Sequence, residues 1–167
     1  WIMNGYIITS NRFIASIWPD WVIAGSGDFN GDGKSDILWR DSGGNLAIWL
    51  MDGTSVAGYN SIGNVPTTST LAGIADFNGD GKSDILWRDN LGNVVLWTMN
   101  SYAISTNTLI AKVWPGWTII ANGDYNGDGK ADILWRDPSQ NVAIWTMDGA
   151  LVSSWSSMGN VSDRMPQ

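Results

Sequence analysis

Three side chains that often carry catalysis or bind metals are missing from this chain of 167 residues. It has no histidine and no cysteine, and all 16 acidic residues are aspartate, so glutamate is absent as well. These absences remove imidazole general bases, thiol nucleophiles and glutamate acid–base pairs, and they exclude disulfides. Only aspartate is left for proton transfer. We therefore expect a protein that is not an enzyme.

Positive charge is also scarce. The 9 lysines and arginines are outnumbered by the 16 aspartates, and the formal net charge is −7. Because no basic patch offsets this acidic field, nucleic acid is not an expected partner. No apolar run approaches the ~18 residues that a membrane-spanning helix needs, so no membrane insertion is expected.

What the chain does contain is a segment that occurs three times. It covers residues 28–41, 76–89 and 124–137, at two equal steps of 48 residues, and the third copy differs only at Tyr125 and Ala131. Such a repeat indicates a tandem array of one supersecondary unit. A longer step of 96 residues relates the segments that begin at Tyr6 and Tyr102, so two kinds of unit alternate.

Each copy begins with a loop in which side chains that carry oxygen alternate with other residues. Positions 1, 3, 5 and 9 of the first loop are aspartate or asparagine, and position 7 is a lysine that can offer its backbone carbonyl. Ca²⁺ takes roughly six to eight oxygen ligands at about 2.3–2.6 Å, and glycine at position 6 permits the sharp turn. The sequence therefore predicts three calcium sites, with the ligands Asp28, Asn30, Asp32, Lys34, Asp36, Asp76, Asn78, Asp80, Lys82, Asp84, Asp124, Asn126, Asp128, Lys130 and Asp132.

Two other interpretations of the loop are less consistent with the sequence. An EF-hand needs a glutamate at position 12 and flanking helices, whereas position 12 is Trp39 and residues 37–40 favour a strand. A hairpin turn explains the glycines, but it does not explain three carboxylates in each loop, which repel one another without a cation. Three bound Ca²⁺ ions would bring the formal net charge from −7 to about −1.

The pattern Asp-x-Asn-Gly-Asp-Gly-Lys-x-Asp followed by Ile-Leu-Trp resembles the FG-GAP and VCBS repeats of integrin-α-like β-propellers, which include mushroom lectins and many secreted bacterial proteins. The resemblance covers nearly the whole chain. It implies that each repeat is one four-stranded blade and that the loop joins the first two strands. Because loops without a glutamate clamp often need the abundant calcium outside cells, we expect a secreted or cell-surface protein.

Turn residues divide each complete repeat into four short strands, which in the first repeat cover residues 22–27, 36–41, 46–51 and about 55–61. Both faces of the third strand are apolar, as in stacked propeller blades. The predicted fold class is therefore all-β, an arc of about three and a half four-stranded antiparallel blades. Its exposed edges predict self-association, or the remaining blades of a longer chain, to close the ring. The predicted boundaries, all within one repeat domain, are a half-blade with its connector at 1–20, blades at 21–68 and 69–116, and a third blade with the start of the next connector at 117–167.

Eleven of the 12 tryptophans fall into two groups. Those within strands recur at equivalent positions, so we expect them between blades. The others of interest flank a proline in two connectors, where no strand pairing demands an aromatic residue. They are candidates for stacking on sugar rings, and the alternative is that they fill the gap between alternating blades. These candidate ligand-binding residues are Trp18, Trp21, Trp114 and Trp117.

Two classes of function are consistent with these features. The first is a calcium-stabilised, lectin-like module that binds multivalent glycans, by itself or as the accessory domain of a secreted carbohydrate-active enzyme. The second is an integrin-like adhesion or protein-interaction scaffold. The aspartates that follow an arginine, Asp41, Asp89 and Asp137, recur in every unit, so we expect an ion pair with that arginine or a turn cap.

Overall fold

The computed structural model describes residues 2–160, and over this range it contains fourteen β-strands and no helix. The all-β class is thus confirmed. The strands form three four-stranded antiparallel sheets and one two-stranded sheet, none of them closed over the same residues, as in a partial arc of propeller blades. The described part of the chain has no helix long and apolar enough to cross a membrane. The strands are β1 (Ile2–Asn4), β2 (Ile7–Ser10), β3 (Val22–Gly27), β4 (Asp36–Arg40), β5 (Asn45–Asp52), β6 (Ser55–Asn64), β7 (Ser69–Ala75), β8 (Asp84–Asp89), β9 (Asn93–Asn100), β10 (Ala103–Lys112), β11 (Thr118–Gly123), β12 (Asp132–Arg136), β13 (Asn141–Asp148) and β14 (Leu151–Asn160).

Each four-stranded sheet is a meander in which consecutive strands pair. Blade 1 consists of β3–β6, blade 2 of β7–β10 and blade 3 of β11–β14. The aspartate-rich loop joins the first two strands of each blade, and a tight turn joins the last two, with Gly53 at a φ of 61° in blade 1. The fourth strand is longer than the sequence predicts, because its pairing with β5 continues through two register shifts as far as Asn64.

The blades pack face to face, and the third strand of blade 2 shows why both of its faces are apolar. On β9, Leu96 belongs to the cluster shared with blade 3, whereas Trp97 and Met99 belong to the cluster shared with blade 1. All three side chains are buried. Fully burying one such side chain contributes about 1.5–3 kcal/mol relative to leaving it exposed. Contacts between blades therefore supply much of the stability of the array.

Two hydrophobic clusters join the three blades, one at each boundary. At the first boundary, Leu38 and Ile48 of blade 1 pack with Ile85 and Trp87 of blade 2. The second boundary repeats this arrangement between blades 2 and 3. The buried members of the second cluster are Phe77, Leu86, Val94, Leu96, Ala131, Ile133, Trp135, Ala143 and Met147.

An arginine at the end of the second strand fastens one blade to the next. Arg40 donates a hydrogen bond to the backbone carbonyl of Ser69 at 2.8 Å, and its guanidinium lies 5.5 Å from the ring centre of Trp87. Arg88 lies over Trp135 in the same way, at 5.1 Å. Cation–π contacts of this kind contribute about 0.5–2 kcal/mol, depending on burial. The arginine therefore acts across the blade boundary.

The aspartate that follows the arginine caps a turn. Asp41 Oδ1 accepts the backbone N–H groups of Gly43 at 2.9 Å and Asn45 at 2.8 Å, and Oδ2 accepts the side-chain amide of Asn45 at 2.7 Å. The Asn45 side chain holds the pKa of Asp41 below its ordinary value. Of the two roles predicted for this aspartate, the turn cap is the one that the structure shows.

The half-blade predicted at the start of the chain is a small two-stranded sheet. Strands β1 and β2 pair antiparallel, and no strand follows until Val22. Tyr6 and Phe13 in this region are exposed. Trp1, which the sequence places at the same repeat position as Trp49, lies outside the described residues.

Candidate functional site

The predicted calcium loop is built around the carboxylate of its first residue. Asp28 Oδ1 accepts the backbone N–H groups of Gly31 at 2.7 Å and Asp32 at 3.1 Å, and Oδ2 accepts that of Gly33 at 2.7 Å. The chain can wrap this tightly because both glycines have positive φ, 78° and 81°, where a Cβ would be penalised. The loops that begin 48 and 96 residues later have the same bonds.

The side chains at positions 3 and 5 lie next to each other. Asn30 Oδ1 accepts the backbone N–H of Asp32 at 2.9 Å, and the Asn30 side-chain amide is 3.3 Å from Asp32 Oδ2. Asp32 Oδ1 in turn accepts the backbone N–H of Lys34 at 2.9 Å. The two side chains therefore lie on one side of the loop, as alternate ligands of a calcium ion must.

The aspartate at position 9 is fully buried where the loop enters the second strand. Asp36 Oδ2 accepts the N–H of Phe29 and Oδ1 accepts that of Met51, both at 2.9 Å. Burial raises the pKa of Asp36, and the charges of Asp28 and Asp32 raise it further, while the two N–H groups act in the opposite direction. The three carboxylates of one loop are thus close enough to repel one another.

The equivalent aspartate of the middle blade, Asp84, has a pKa that is raised more strongly. Burial is the main cause that raises the pKa of Asp84 to about 6, and the carboxylates of Asp76 and Asp80 add to it. Backbone N–H groups of Phe77 and Met99 offset only part of this effect. A nearby cation favours the ionised form of such a group.

The donor set of each loop fits Ca²⁺ in its chemistry. It consists of carboxylate, amide and carbonyl oxygens, and a carboxylate with about four lone-pair positions can accept backbone N–H groups and still bind a cation. Over residues 2–160, no group of three or more His, Cys, Asp and Glu side chains is arranged to hold a metal ion. A calcium site in these loops would therefore depend on the asparagine side chain and the lysine carbonyl as well as on the aspartates.

Neighbouring loops are connected by backbone hydrogen bonds. The N–H of Ser83 in the second loop donates to the carbonyl of Asp28 in the first, and Ala131 donates to Asp76, both at 2.7 Å. Lys82 also lies against Gly31, where an added Cβ would be 3.3 Å from the lysine side chain. The three candidate calcium loops therefore form one connected row.

The two Trp-Pro-x-Trp connectors form similar turns. The N–H of Trp21 donates to the carbonyl of Trp18 at 3.1 Å, and Trp117 donates to Trp114 at 3.0 Å. The first tryptophan of each pair is 78% and 69% exposed, respectively, whereas the second is half-buried. Trp117 also packs against the second hydrophobic cluster. The first tryptophan of each connector is therefore exposed enough to stack on a sugar ring. The second partly fills the gap between blades.

A cavity lies between each of these connectors and two tryptophans of the following blade, one on its second strand and one on its third, which we call the tryptophan pair. Its volume is about 280 Å³ in blade 1 and about 230 Å³ in blade 3. Among the described residues, no charged side chain lines either cavity, and Trp114 does not line the second. The aromatic walls are Trp18, Trp21, Trp39, Trp49 and Tyr59 in blade 1 and Trp117, Trp135, Trp145 and Trp155 in blade 3.

Two residues of these cavities, Tyr59 and Trp155, are missing from the sequence-based prediction. They lie on the fourth strands, directly opposite Trp49 and Trp145, and they are 75% and 70% exposed. The signal that could have found them is the longer repeat, because the two positions are 96 residues apart, as the two connectors are.

The fold and the repeated loops define an array of β-propeller blades. The sequence profile of the FG-GAP-like repeat matches residues 28–87 and 76–135, which together cover more than half of the chain, and the chain belongs to this family. FG-GAP repeats typically form non-catalytic binding or adhesion domains. A comparison with curated proteins finds no match.

Proposed function

We propose that this chain is a non-catalytic, calcium-stabilised carbohydrate-binding module of the lectin type, acting by itself or as the accessory domain of a secreted carbohydrate-active enzyme. The observation that carries the proposal is the pair of aromatic cavities at blades 1 and 3. Tryptophan and tyrosine combine a large apolar face with a polar tip, which suits a sugar ring with one apolar face and a rim of hydroxyl groups.

Two similar sites on one rigid array suit a multivalent glycan. A single shallow site binds weakly, but linked sites gain roughly 10²–10⁴ in avidity when the target presents matching groups. The exposed rings of Trp18 and Trp114 add aromatic surface at the two connectors. Glycans with repeated units are therefore the proposed partners.

Calcium would act at a distance from the sugar, by fixing the loops. Within residues 2–160 no carboxylate lines either aromatic cavity, so an ion that bridges protein and sugar has no ligand from this range there. In each loop, a bound cation would reduce the repulsion among the three aspartates. Loops without a glutamate clamp suit the millimolar calcium outside cells, and the proposal therefore includes a secreted or cell-surface location.

The test is binding of the chain to neutral polysaccharides, measured by pull-down with cellulose, chitin, xylan and mannan. Replacing Trp18, Trp21, Trp114 and Trp117 with alanine should abolish binding. Because Trp21 and Trp117 are half-buried, a second variant carries phenylalanine at these two positions to preserve the packing. Tyr6→Ala, an exposed aromatic residue in the turn between β1 and β2, is the control. Undiminished binding by a folded variant would overturn the proposed site.

A protein-interaction scaffold is the second candidate, favoured by the outer face of blade 3, which no other blade in the described range covers. Ile120 and Tyr125 are 44% and 46% exposed there. A further blade, from a second copy or from a longer chain, would cover this face and extend or close the ring. Sedimentation at several concentrations tests self-association. A mass that stays at the monomer value over the whole range would exclude it.

A further inference from the structure

Blade 2 also has a cavity between its connector and its tryptophan pair, but the walls differ. The cavity has a volume of about 240 Å³, and its floor again includes Trp87 and Trp97. Ser69 and Asn107 also line it, at the repeat positions where blades 1 and 3 present aromatic rings, and the rest of its lining is Asn64, Val65, Pro66 and Val95. Two strongly aromatic cavities, with five and four rings, therefore flank one whose lining residues include two rings.

One source of this alternation is the fourth strand. The residue paired with the second tryptophan of the blade is Tyr59 in blade 1, Asn107 in blade 2 and Trp155 in blade 3. All three side chains are exposed. Because asparagine completes the same strand pairing in blade 2, the fold does not require an aromatic ring at this position. The exposed rings of blades 1 and 3 therefore need another reason.

The connector is the second source of the alternation. Ser69 occupies the position of Trp21 and Trp117, 48 residues away on either side. The connector backbone is held alike at both boundaries, since Arg40 donates to the carbonyl of Ser69 and Arg88 donates to that of Trp117. The difference between the cavities thus lies in the side chains, on a common backbone.

We propose that this chain binds sugar at two sites only, the aromatic cavities of blades 1 and 3, and that each site takes a neutral pyranose whose ring stacks on Tyr59 or Trp155. The inference rests on the proposed carbohydrate function and adds its stoichiometry, its specificity-determining residues and its ligand class. An ionised sugar or a sugar phosphate would find no opposite charge in the described part of the chain, because none of its charged side chains lines either cavity.

The open shape of these cavities favours a sugar over a quaternary ammonium ion. An aromatic cage binds such a cation by surrounding it with ring faces. Here Trp18 and Tyr59 are 78% and 75% exposed, so they border an open platform on which a flat ring can lie. In blade 2, the serine and asparagine leave the tryptophan pair without this platform.

The test exchanges residues between the two kinds of blade. Tyr59→Asn and Trp155→Asn place in blades 1 and 3 the residue that blade 2 already carries. Asn107→Tyr with Ser69→Trp gives blade 2 the aromatic positions of blade 1. The ligand is whichever of cellohexaose, chitohexaose, xylohexaose and mannohexaose binds the unmodified chain most tightly, and the number of sites is measured by calorimetry. Tyr6→Asn is the matched control, an exposed tyrosine outside the cavities.

We expect two sites for the unmodified chain and for Tyr6→Asn, and one site for either single asparagine variant. The double asparagine variant should bind at least tenfold more weakly, and the blade 2 double variant should gain a third site. Three sites in the unmodified chain, or an unchanged site number in both sets of variants, would overturn the alternation while leaving carbohydrate binding intact.

Two further outcomes separate the inference from the function on which it rests. If none of the four oligosaccharides and none of the polysaccharides binds the unmodified chain, the proposed carbohydrate function itself fails. If choline binds at two sites that Tyr59→Asn and Trp155→Asn remove, and the sugars do not bind, the ligand class is wrong. The blade 2 variant leaves blades 1 and 3 unchanged, so it tests the inference even if an asparagine variant fails to fold.

Discussion

The loops of blades 2 and 3 are almost identical in sequence but differ in their surroundings. Phe77 of blade 2 is fully buried at the boundary with blade 3, whereas Tyr125, at the same repeat position, is 46% exposed. Arg88 donates to two carbonyls of the next connector, whereas Arg136 is exposed. The difference shows that the following blade, and not the four strands of the blade itself, completes the environment of each repeat.

The largest expected effect is that of removing calcium. It tests whether the three loops behave alike, although the loop of blade 3 has no following blade packed against it in the described range. By linkage, Ca²⁺ at a hundredfold excess over its Kd stabilises the fold by about 2.7 kcal/mol for each site. EGTA should therefore lower the melting temperature of the chain. Asp80→Asn and Asp128→Asn, matched changes in the loops of blades 2 and 3, should each remove one of three calcium sites in calorimetry. A melting temperature that does not respond to EGTA would mean that the loops are turns that bind no calcium.

The next effect measures how much the packing of a following blade contributes to stability. Phe77→Ala should reduce the free energy of unfolding by about 3–5 kcal/mol, because it opens a hole in a packed boundary. Tyr125→Ala removes a half-exposed ring from the same position and should cost less than about 1 kcal/mol. Urea denaturation of the two variants compares them directly. Equal losses would mean that blade 3 is covered in solution, for example by a second copy.

A smaller effect is expected for the arginines at the blade boundaries. Arg88→Ala removes two hydrogen bonds and a cation–π contact with Trp135, so a loss of about 2 kcal/mol is expected. Arg136→Ala should change the free energy of unfolding by no more than about 0.5 kcal/mol. Arg88→Lys serves as the control, because it keeps the charge but loses the planar fork that reaches two carbonyls. A loss for Arg136→Ala as large as that for Arg88→Ala would contradict the comparison.

The smallest effect concerns the turn caps. They lie within a blade, so they should not depend on whether another blade packs against it. Side-chain amides of Asn45 and Asn141 hold the pKa values of Asp41 and Asp137 below the ordinary 3.8. A depressed pKa in the folded state contributes stability that is present above pH 3.8 and is lost as the pH falls through the folded-state value. Asp41→Asn and Asp137→Asn should each lower the melting temperature slightly at pH 7.

The pH dependence of these two variants completes the test. Their difference from the unmodified chain should shrink in acid, because the carboxylates of the unmodified chain become protonated there. Thermal melts between pH 7 and pH 2.5 measure it. A difference that grows in acid would show that the sign of the pKa shift is wrong.

The features that the sequence predicted correctly are local and repeated. The loop, the turns and the strands of one blade lie within 48 residues of one another, so their spacing alone indicates four strands in an all-β array. The candidate calcium ligands rest on the same local spacing, and both the ligand set and the binding of calcium stay predictions. The turn-cap role of Asp41 was one of two alternatives, because its partners are the next few residues.

The features that the sequence did not predict depend on contacts between blades. Arg40 acts on a carbonyl 29 residues away in the next connector, which no pattern within one repeat indicates. The different burial of Trp114 and Trp117 likewise depends on where the next blade lies. Tyr59 and Trp155 enter the cavities only because the fourth strand brings them beside the tryptophan of the third.

The hydrogen bonds between successive loops give the array a direction. The N–H of Ser83 reaches back to Asp28, and that of Ala131 reaches back to Asp76, so each loop accepts a bond from its successor. In an array whose units contact only their neighbours, an outer unit has one interface instead of two. The outer units therefore open before the inner ones. Amide protons should accordingly exchange with solvent faster along β14, whose blade is covered on one side among the described residues, than in β8 and β9. A calcium ion bound in one loop would in this way also restrain the loop beside it.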